Sequence, residues 1–185
     1  MNWLWIILGV AAFAVIIFVY YYNRFSVLSN RIDNSLSQID VQLKRRADLI
    51  PNLIESVKGY VKHEKSVIIS VTDARKSMMS AKDLTGRIDA NNILENALGK
   101  LFAIAEAYPD LKANTNFLEL QRELSTTEDR IAYARQFYND SILSYNNMCQ
   151  SFPGSFFANL YGRKPKEHLK IAESERKNVK VDFKD

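Results

Sequence analysis

The sequence predicts an all-α fold, in which an N-terminal transmembrane helix is followed by an up-down-up-down four-helix bundle with elongated helices. The chain opens with an uncharged apolar run, and apolar residues then recur every three or four positions over most of its length. Six glycines and four prolines in 185 residues are few, which disfavours a turn-rich β protein. We therefore predict a transmembrane anchor over residues 1–25, a helical bundle domain over residues 26–162 and a charged, poorly ordered tail over residues 163–185.

The apolar run extends from Trp3 to Tyr22 and reads WLWIILGVAAFAVIIFVYYY. A helix of this length spans about 30 Å, the thickness of the hydrocarbon core of a bilayer. Tryptophans at its start and tyrosines at its end are typical of the two membrane interfaces. A buried core helix would be expected to carry a polar stripe, and a cleaved signal peptide would need a cationic start and a small-residue cleavage site. We therefore predict that residues 3–22 contact the lipid bilayer as a single-pass span.

Basic residues follow the apolar run closely. Arg24 and Arg31 lie just beyond it and residues 44–46 read Lys-Arg-Arg, whereas only the α-amino group precedes it. Positively charged flanks stay preferentially on the cytoplasmic side of a membrane. The long C-terminal part is therefore predicted to be cytoplasmic.

The residues after the span predict two helices separated by a break. Gly59 after Lys58 is a helix stop signal, so we expect the break at residues 59–63. The second helix is predicted over residues 64–80. The predicted buried seams are Ile32, Leu36, Ile39, Leu43, Arg46, Ile50, Leu53, Val57 and Tyr60 in the first helix, and Val67, Val71, Ala74 and Met78 in the second.

Two further helices are predicted in the second half of the chain. Residues 81–92 lose the apolar period and contain Gly86, so we expect a loop there and a third helix capped by Asp89. This helix is predicted to contain Leu94, Leu98, Leu101, Ala105 and Tyr108 and to stop at Pro109. The spacing of Asn116 and Glu119 predicts a capping box that opens the fourth helix. The fourth seam is Phe117, Leu120, Leu124, Thr127, Ile131, Ala134, Tyr138, Ser141, Tyr145 and Met148.

Short connections between the four helices favour the up-down-up-down arrangement. The fourth helix is expected to end at the Pro153-Gly154 pair, which does not continue a helix easily. The apolar segment that follows, residues 155–162, then lies near the membrane. It can cover the end of the bundle or enter the lipid headgroups, and the first alternative is favoured.

Few residues suggest chemistry. Charges of both signs alternate and the net charge is only +4, so no nucleic-acid partner is predicted. Cys149 is expected to be a small buried hydrophobe rather than a nucleophile. His63 and Glu64 begin a zinc-protease motif, but Val67 stands where the second histidine belongs. Carboxylates of the fourth helix are expected to pair with arginines of the same helix: Glu119, Glu123, Glu128 and Asp129 beside Arg122 and Arg130. We predict no catalytic residue, metal site or cofactor.

Arg46 and Pro51 interrupt the seam of the first helix. Pro51 lacks an amide hydrogen and is expected to kink the helix near Ala47, whose carbonyl then needs another donor. Arg46 is a candidate for that donor or for pairing with a carboxylate of a neighbouring helix. The favoured interpretation is that Arg46 extends out of the seam into water and that Pro51 only bends the helix.

Two surfaces are nevertheless candidates for binding a partner. The first is a charged and distorted stretch comprising Arg45, Arg46, Asp48, Pro51 and Asn52. The second is the turn formed by Tyr108, Pro109 and Asp110. Ordinary turn chemistry also explains the proline and aspartate of the second surface, so its partner-binding role is the less favoured alternative.

Three segments resemble a known family: QIDVQLKRRADLIPNLIESVKGYVKHE, EAYPDLKAN and FLELQRELSTTEDRIAYARQFYND. With their spacing they closely resemble the LemA family of bacterial membrane proteins over residues 22–161. The resemblance implies one membrane helix, a four-helix bundle and a location in the bacterial inner membrane, and it supplies no catalytic residues. Relatives are associated with membrane-organelle formation in magnetosomes, and some are encoded beside membrane metalloproteases. Fold resemblance alone does not assign a function.

Three functional hypotheses follow from these patterns. The first is a non-enzymatic membrane-anchored scaffold that forms homo-oligomers through its bundle. The second is an adaptor or regulator of another membrane protein, such as a membrane metalloprotease. The third, an enzyme, ranks lowest because it requires a pocket with several convergent titratable groups.

Overall fold

A computed structural model describes residues 2–60 and 64–169 of the chain. These residues form helices and turns, with no strand among them, which confirms the all-α prediction. The helices are α1 (Asn2–Lys58), α2 (Lys65–Ser80), α3 (Leu84–Ala105), α4 (Pro109–Lys112), α5 (Thr115–Gln150) and α6 (Gly154–Leu160). They belong to two compact units, one made of Met1–Ile39 and Ala132–His168 and the other containing Asp40–Ile131.

The N-terminal part of α1 has almost no protein neighbours. It is long and apolar enough to cross a bilayer, with a mean hydropathy of 2.5 in its most apolar window. Trp3 is 78% exposed and Ile16 is 65% exposed. An apolar core helix of a globular domain is mostly buried, so this exposure distinguishes the segment from a core helix.

The first unit has a small aromatic and aliphatic core built from α1, α5 and α6. Its buried members are Phe25, Leu28 and Ile32 of α1, Ile142, Tyr145 and Cys149 of α5, and Ala158 of α6. Phe25 and Tyr145 meet edge to face, with their ring centroids 5.8 Å apart. Of the predicted seam positions, Ile32 and Tyr145 lie in this core and Tyr138 and Met148 pack against it, whereas Phe25, Leu28 and Ile142 were not predicted.

Helix α6, which the sequence did not predict, turns back against the end of α5. A Cβ atom on Gly154 would lie 2.3 Å from the carbonyl oxygen of Met148, so only glycine permits this close approach. At the other end Gly162 has a φ of 65°, and the amide of Arg163 donates to the carbonyl of Ala158 at 2.8 Å. This is a Schellman motif, which satisfies the last carbonyls of the helix. Phe157, Ala158 and Tyr161 pack on the core of the first unit. The favoured interpretation, that residues 155–162 cover the end of a four-helix bundle, stays a prediction.

The start of the predicted tail is attached to α5. The side chain of Asn146 donates to the carbonyl of Lys166 and accepts from its amide, both at 2.8 Å. The ammonium of Lys166 also lies 5.4 Å from the ring centroid of Tyr145. Residues 170–185, the rest of the predicted tail, lie outside the described residues.

The second unit buries apolar side chains of α1, α2, α3, α4 and α5. Helices α2 and α3 pack directly on each other. The buried residues include Leu43, Ile50, Leu53 and Val57 of α1, Val71 and Met78 of α2, Leu94, Leu98 and Leu101 of α3, Leu111 of α4, and Leu124 and Ile131 of α5. All of these except Leu111 were predicted seam positions, so the apolar period identified the core faces correctly.

The predicted start of the third helix is wrong. Helix α3 begins at Leu84, and the carboxylate of Asp83 rather than Asp89 caps it by accepting from the amide of Gly86 at 2.8 Å. A Cβ atom at residue 86 would lie 2.8 Å from that same carboxylate oxygen. Gly86 therefore makes room for the cap instead of breaking the helix, and the loop shrinks to residues 81–83.

Two details of the next connection also differ from the prediction. Helix α3 ends at Ala105, and Tyr108 is the residue that precedes the short helix α4. The cap of α5 is Asn114, whose side-chain oxygen accepts from the amide of Phe117 at 3.1 Å, whereas Asn116 is exposed. Asn114 and Asn116 both have an amide two or three residues ahead that they could cap, and the sequence pattern alone did not distinguish them.

Helix α1 continues through Pro51 and ends at Lys58, as predicted from Gly59. Pro51 has no amide hydrogen to donate to the carbonyl of Ala47, one turn earlier. This carbonyl instead accepts a hydrogen bond from Nε of Arg75 at 2.7 Å. Arg46 was one candidate for this donor, and that alternative is wrong because the donor comes from α2. Ala47 itself is fully buried, which explains why its carbonyl depends on a protein donor.

We expect Arg75 and Pro51 to be energetically coupled. Arg75→Met should cost about 1–2 kcal/mol more in the wild-type chain than in a Pro51→Ala background, because the new amide at residue 51 can then bond the Ala47 carbonyl. The measurement is a double-mutant cycle of urea unfolding, followed by circular dichroism in detergent micelles. Lys76→Met, an exposed neighbour, is the control and should behave alike in both backgrounds. Equal costs of Arg75→Met in the two backgrounds would contradict the assignment.

Candidate functional site

Arg46 is the most unusual side chain in the described part of the protein. It lies in the core face of α1 and only 3% of its surface is exposed. Its Nη1 donates to the side-chain oxygen of Asn91 in α3 at 3.0 Å and to the carboxylate of Glu128 in α5. The interpretation that Arg46 extends into water is therefore wrong, and the alternative of pairing with a carboxylate of a neighbouring helix is confirmed.

Burial dominates the electrostatics of this guanidinium. Desolvation lowers the pKa of Arg46 to about 10, and the nearby charge of Glu95 opposes the shift. Arg46 is therefore still a cation at neutral pH. Its Nε is buried and has no hydrogen-bond acceptor within residues 2–60 and 64–169, so part of the desolvation cost is not compensated. Such a group ties helices together without necessarily making the fold more stable than apolar packing would.

The remaining residues of the first predicted partner surface are exposed. Arg45 forms an ion pair with Glu123 of α5 at 2.7 Å, and both side chains are about half exposed. Asp48, Pro51 and Asn52 are also exposed. Arg46 is the exception, since its buried side chain does not belong to the accessible surface of this structure. The partner-binding role of the exposed members remains a prediction.

A groove between α1 and α5 begins at this surface. It has a volume of about 530 Å³ and includes Asn52. The other lining residues are Glu55, Ser56, Asn116, Glu119, Leu120 and Glu123. The sequence prediction missed the groove because it assigned Glu123 and Glu128 to arginines of their own helix. Glu123 instead pairs with Arg45 and Glu128 with Arg46, both in α1. The two adjacent arginines in the sequence were the feature that could have indicated these pairs.

The second predicted surface is held by different partners. The hydroxyl of Tyr108 donates to a carboxylate oxygen of Glu64 at 2.9 Å, and this hydrogen bond raises the pKa of Tyr108 above its usual value. Pro109 opens α4, and both Pro109 and Asp110 are exposed. Nearby, the side-chain amide of Asn114 donates to the hydroxyl of Tyr60 at 3.2 Å. Tyr108 therefore has a structural contact, while the role of Pro109 and Asp110 in binding a partner remains a prediction.

Groups that could perform metal or nucleophilic chemistry are dispersed. Among the described residues, no three histidine, cysteine, aspartate or glutamate side chains are placed to hold a metal ion. Cys149 is buried, as predicted, and burial raises the pKa of its thiol. His63 lies outside the described residues, and His168 is exposed.

The Arg46 network predicts unequal effects for its two ends. Glu128→Leu should cost about 3–5 kcal/mol of unfolding free energy, because it leaves a buried cation without its carboxylate. Arg46→Met should cost less than about 2 kcal/mol, because it removes the buried charge, and the 30% exposed Glu128 side chain can be hydrated. Urea unfolding in micelles measures both values.

The control is Glu123→Leu, which breaks the exposed pair with Arg45 on the same two helices and should cost less than about 1 kcal/mol. If Glu128→Leu and Glu123→Leu cost the same, Arg46 is not the buried cation described above.

Comparison with known proteins gives consistent matches. The model of the LemA family matches residues 35–183. A protein named LemA from Metamycoplasma hominis is 26% identical over 154 residues, which cover 82% of this chain and 70% of that protein. The magnetosome protein MamQ 2 of Paramagnetospirillum magneticum is 26% identical over 189 residues, 88% of this chain and 69% of that protein. The magnetosome protein MamQ of Magnetospirillum gryphiswaldense is 26% identical over 177 residues, 80% of this chain and 64% of that protein. Since the family match covers most of the sequence, this chain belongs to the LemA family.

Proposed function

We propose that this protein is a non-enzymatic scaffold of the bacterial inner membrane, anchored by the N-terminal part of α1 and self-associating through its helical part. The observation that carries the proposal is an exposed aromatic pair on α5. Tyr133 is 72% exposed and Phe137, one helical turn later, is 42% exposed. Adjacent exposed aromatics are typical of protein interfaces, where they contribute much of the binding energy.

Membrane anchoring is supported by the exposure of the apolar segment. Nearly all side chains of residues 3–22 are exposed, and contact of so large an apolar surface with water would be energetically unfavourable. Arg24 and Arg31 follow the segment, which favours a cytoplasmic location for the rest of the chain. An anchor also confines the copies to a plane, which raises their effective concentration and allows a small contact to hold them together.

A four-helix bundle is supported by the polar contacts of the second unit. Arg46 joins α1 to Asn91 of α3 and to Glu128 of α5, and Arg75 joins α2 to the carbonyl of Ala47 in α1. Each of the four longer helices thus bonds to at least one other. These contacts fit a bundle in which each helix directs one face to a common core.

The buried polar side chains bond to one another, which supports a role without catalysis. The guanidinium of Arg46 and the amide of Asn91 are bonded to each other inside the helical core. Catalytic groups instead converge on a cavity that a substrate can enter. Two relatives are named magnetosome proteins, and a part in building a cellular structure suits a scaffold.

Native mass spectrometry of the full-length chain released from nanodiscs tests self-association. We expect oligomers for the wild type, and at least a roughly tenfold weaker association for Tyr133→Ser/Phe137→Ser, because exposed aromatic anchors are typical interface hot spots. Ile93→Ser, which removes a 60% exposed apolar side chain from α3, is the matched control and should leave the oligomers unchanged. A wild-type chain that stays monomeric over a wide range of protein-to-lipid ratios would refute the proposal.

A second candidate function is that of an adaptor for another membrane protein, such as a membrane metalloprotease. The observation that favours it is the groove between α1 and α5, where Glu119 would attract a cationic segment of the partner, while Glu55 and Glu123 pair with Lys58 and Arg45 of the chain itself. Asn52 of the predicted surface lines the same groove.

Site-specific photocrosslinking in cells tests the adaptor. A crosslinker at Asn52 should then yield one dominant adduct with a different protein, and Glu119→Lys should abolish that adduct because it reverses a charge in the groove. The control is Asp129→Lys, an equal reversal at an exposed residue of the same helix outside the groove. Adducts with a second copy of the chain alone, or a heterologous adduct that survives Glu119→Lys, would exclude the adaptor.

A further inference from the structure

Helix α6 lies beside the end of the apolar segment of α1. The hydroxyl of Tyr161 donates to the carbonyl of Phe18 at 2.6 Å, and the ring of Phe157 stacks on that of Tyr21 with their centroids 4.5 Å apart. Phe18 precedes the last residue of the apolar segment, Tyr22, by one helical turn, which corresponds to about 6 Å along the axis. Helix α6 and the part of α1 before residue 40 belong to the same compact unit, so this adjacency is internal to it.

The two faces of α6 have different surroundings. Phe157, Ala158 and Tyr161 pack on the core of the first unit. On the other side Phe156 is 62% exposed and Leu160 is 58% exposed, and Phe152 in the preceding turn is 88% exposed. Phe156 and Leu160 are four residues apart in the helix, so they form one apolar edge, which we call the outer edge of α6, and Phe152 lies in the non-helical turn before it. Three large exposed apolar side chains so close together in the sequence are unusual for a surface that faces water.

We propose that the outer edge of α6, formed by Phe156 and Leu160, inserts together with Phe152 of the preceding turn into the interfacial layer of the same bilayer that the N-terminal part of α1 crosses. The inference rests on the proposed membrane anchor. Continuity with the apolar segment identifies the occupant, because α6 contacts α1 at Phe18 and Tyr21, within the predicted span. A helix that lies in the membrane plane buries its apolar face about 5–10 Å into the headgroup and acyl boundary, and the depth of Phe18 lies within that range.

The polar groups near α6 fit this location. Arg24 follows the apolar segment and Lys164 follows α6, and both are exposed, so their charges can attract lipid phosphates. The hydroxyl of Tyr161 would be costly at this depth without an acceptor, and it has one in the carbonyl of Phe18. The Schellman motif at Gly162 satisfies the last carbonyls of α6 within the protein. The helix therefore offers lipid an apolar edge with its last carbonyls bonded within the protein.

Fluorescence quenching by brominated phospholipids tests the insertion in the full-length chain. The protein has two tryptophans, Trp3 and Trp5, which are replaced by phenylalanine so that one new tryptophan reports alone. The test variants carry Phe156→Trp or Leu160→Trp, and both positions are exposed, so the fold should accept either substitution. In vesicles of phosphatidylcholine and phosphatidylglycerol brominated near the top of the acyl chains, both tryptophans should lose much of their emission.

The matched control is Tyr133→Trp, an exposed position of α5 in the same unit, which should keep its emission in brominated vesicles. The unmodified chain is the reference for the anchor, since Trp3 and Trp5 should be quenched if α1 spans the bilayer. Quenching of Trp3 and Trp5 without quenching at residues 156 and 160 would overturn the insertion and leave the anchor intact. If none of the four is quenched, both the anchor and the insertion fail. A tryptophan at residue 156 that is shielded from both acrylamide and bromolipid would show that another protein surface covers the edge, which also overturns the proposal.

Discussion

The packing of the second unit depends on the burial of a cation at Arg46. An apolar side chain in this position would accept many relative arrangements of its neighbours, whereas a guanidinium in a core requires acceptors at fixed positions. Asn91 and Glu128, which belong to α3 and α5, supply those acceptors. Because burial without them would cost several kcal/mol, we expect this contact to fix which faces of the three helices meet.

Pro51 imposes a related requirement on α1. It leaves the buried carbonyl of Ala47 without an amide donor, and the side chain of Arg75 in α2 provides the replacement. Two arginine side chains therefore take over roles in this unit. Arg75 replaces the backbone amide donor that Pro51 lacks, and Arg46 occupies a seam position where an apolar side chain would be usual. Together these contacts explain how a helix with Arg46 in its buried face and Pro51 on its exposed side can remain uninterrupted from Asn2 to Lys58.

The sequence predicted the features that depend on local periodicity. It identified the apolar segment, the buried seams and the end of α1 at Gly59, because each is encoded by residues a few positions apart. It failed at Gly86 and Asn116, where several residues could cap the helix, and at Arg46, whose acceptor on Glu128 is 82 residues away. The groove between α1 and α5 and the helix α6 were also missed, because both depend on contacts between segments that are distant in the sequence. Asp48, Pro51 and Asn52 are exposed, as a binding surface requires, and their role in binding a partner stays a prediction.

The buried cation can be observed directly in the side-chain nitrogen spectrum of arginine. In the isotopically labelled full-length chain in nanodiscs at neutral pH, the guanidinium protons of Arg46 should give resolved signals that exchange slowly with water, because they are buried and hydrogen-bonded. Arg45, the exposed neighbour, provides the rapidly exchanging reference in the same sample. If the guanidinium proton signals of Arg46 merge into one and exchange with water as fast as those of Arg45, the side chain is not buried. That result would also contradict the proposed contact between α1, α3 and α5.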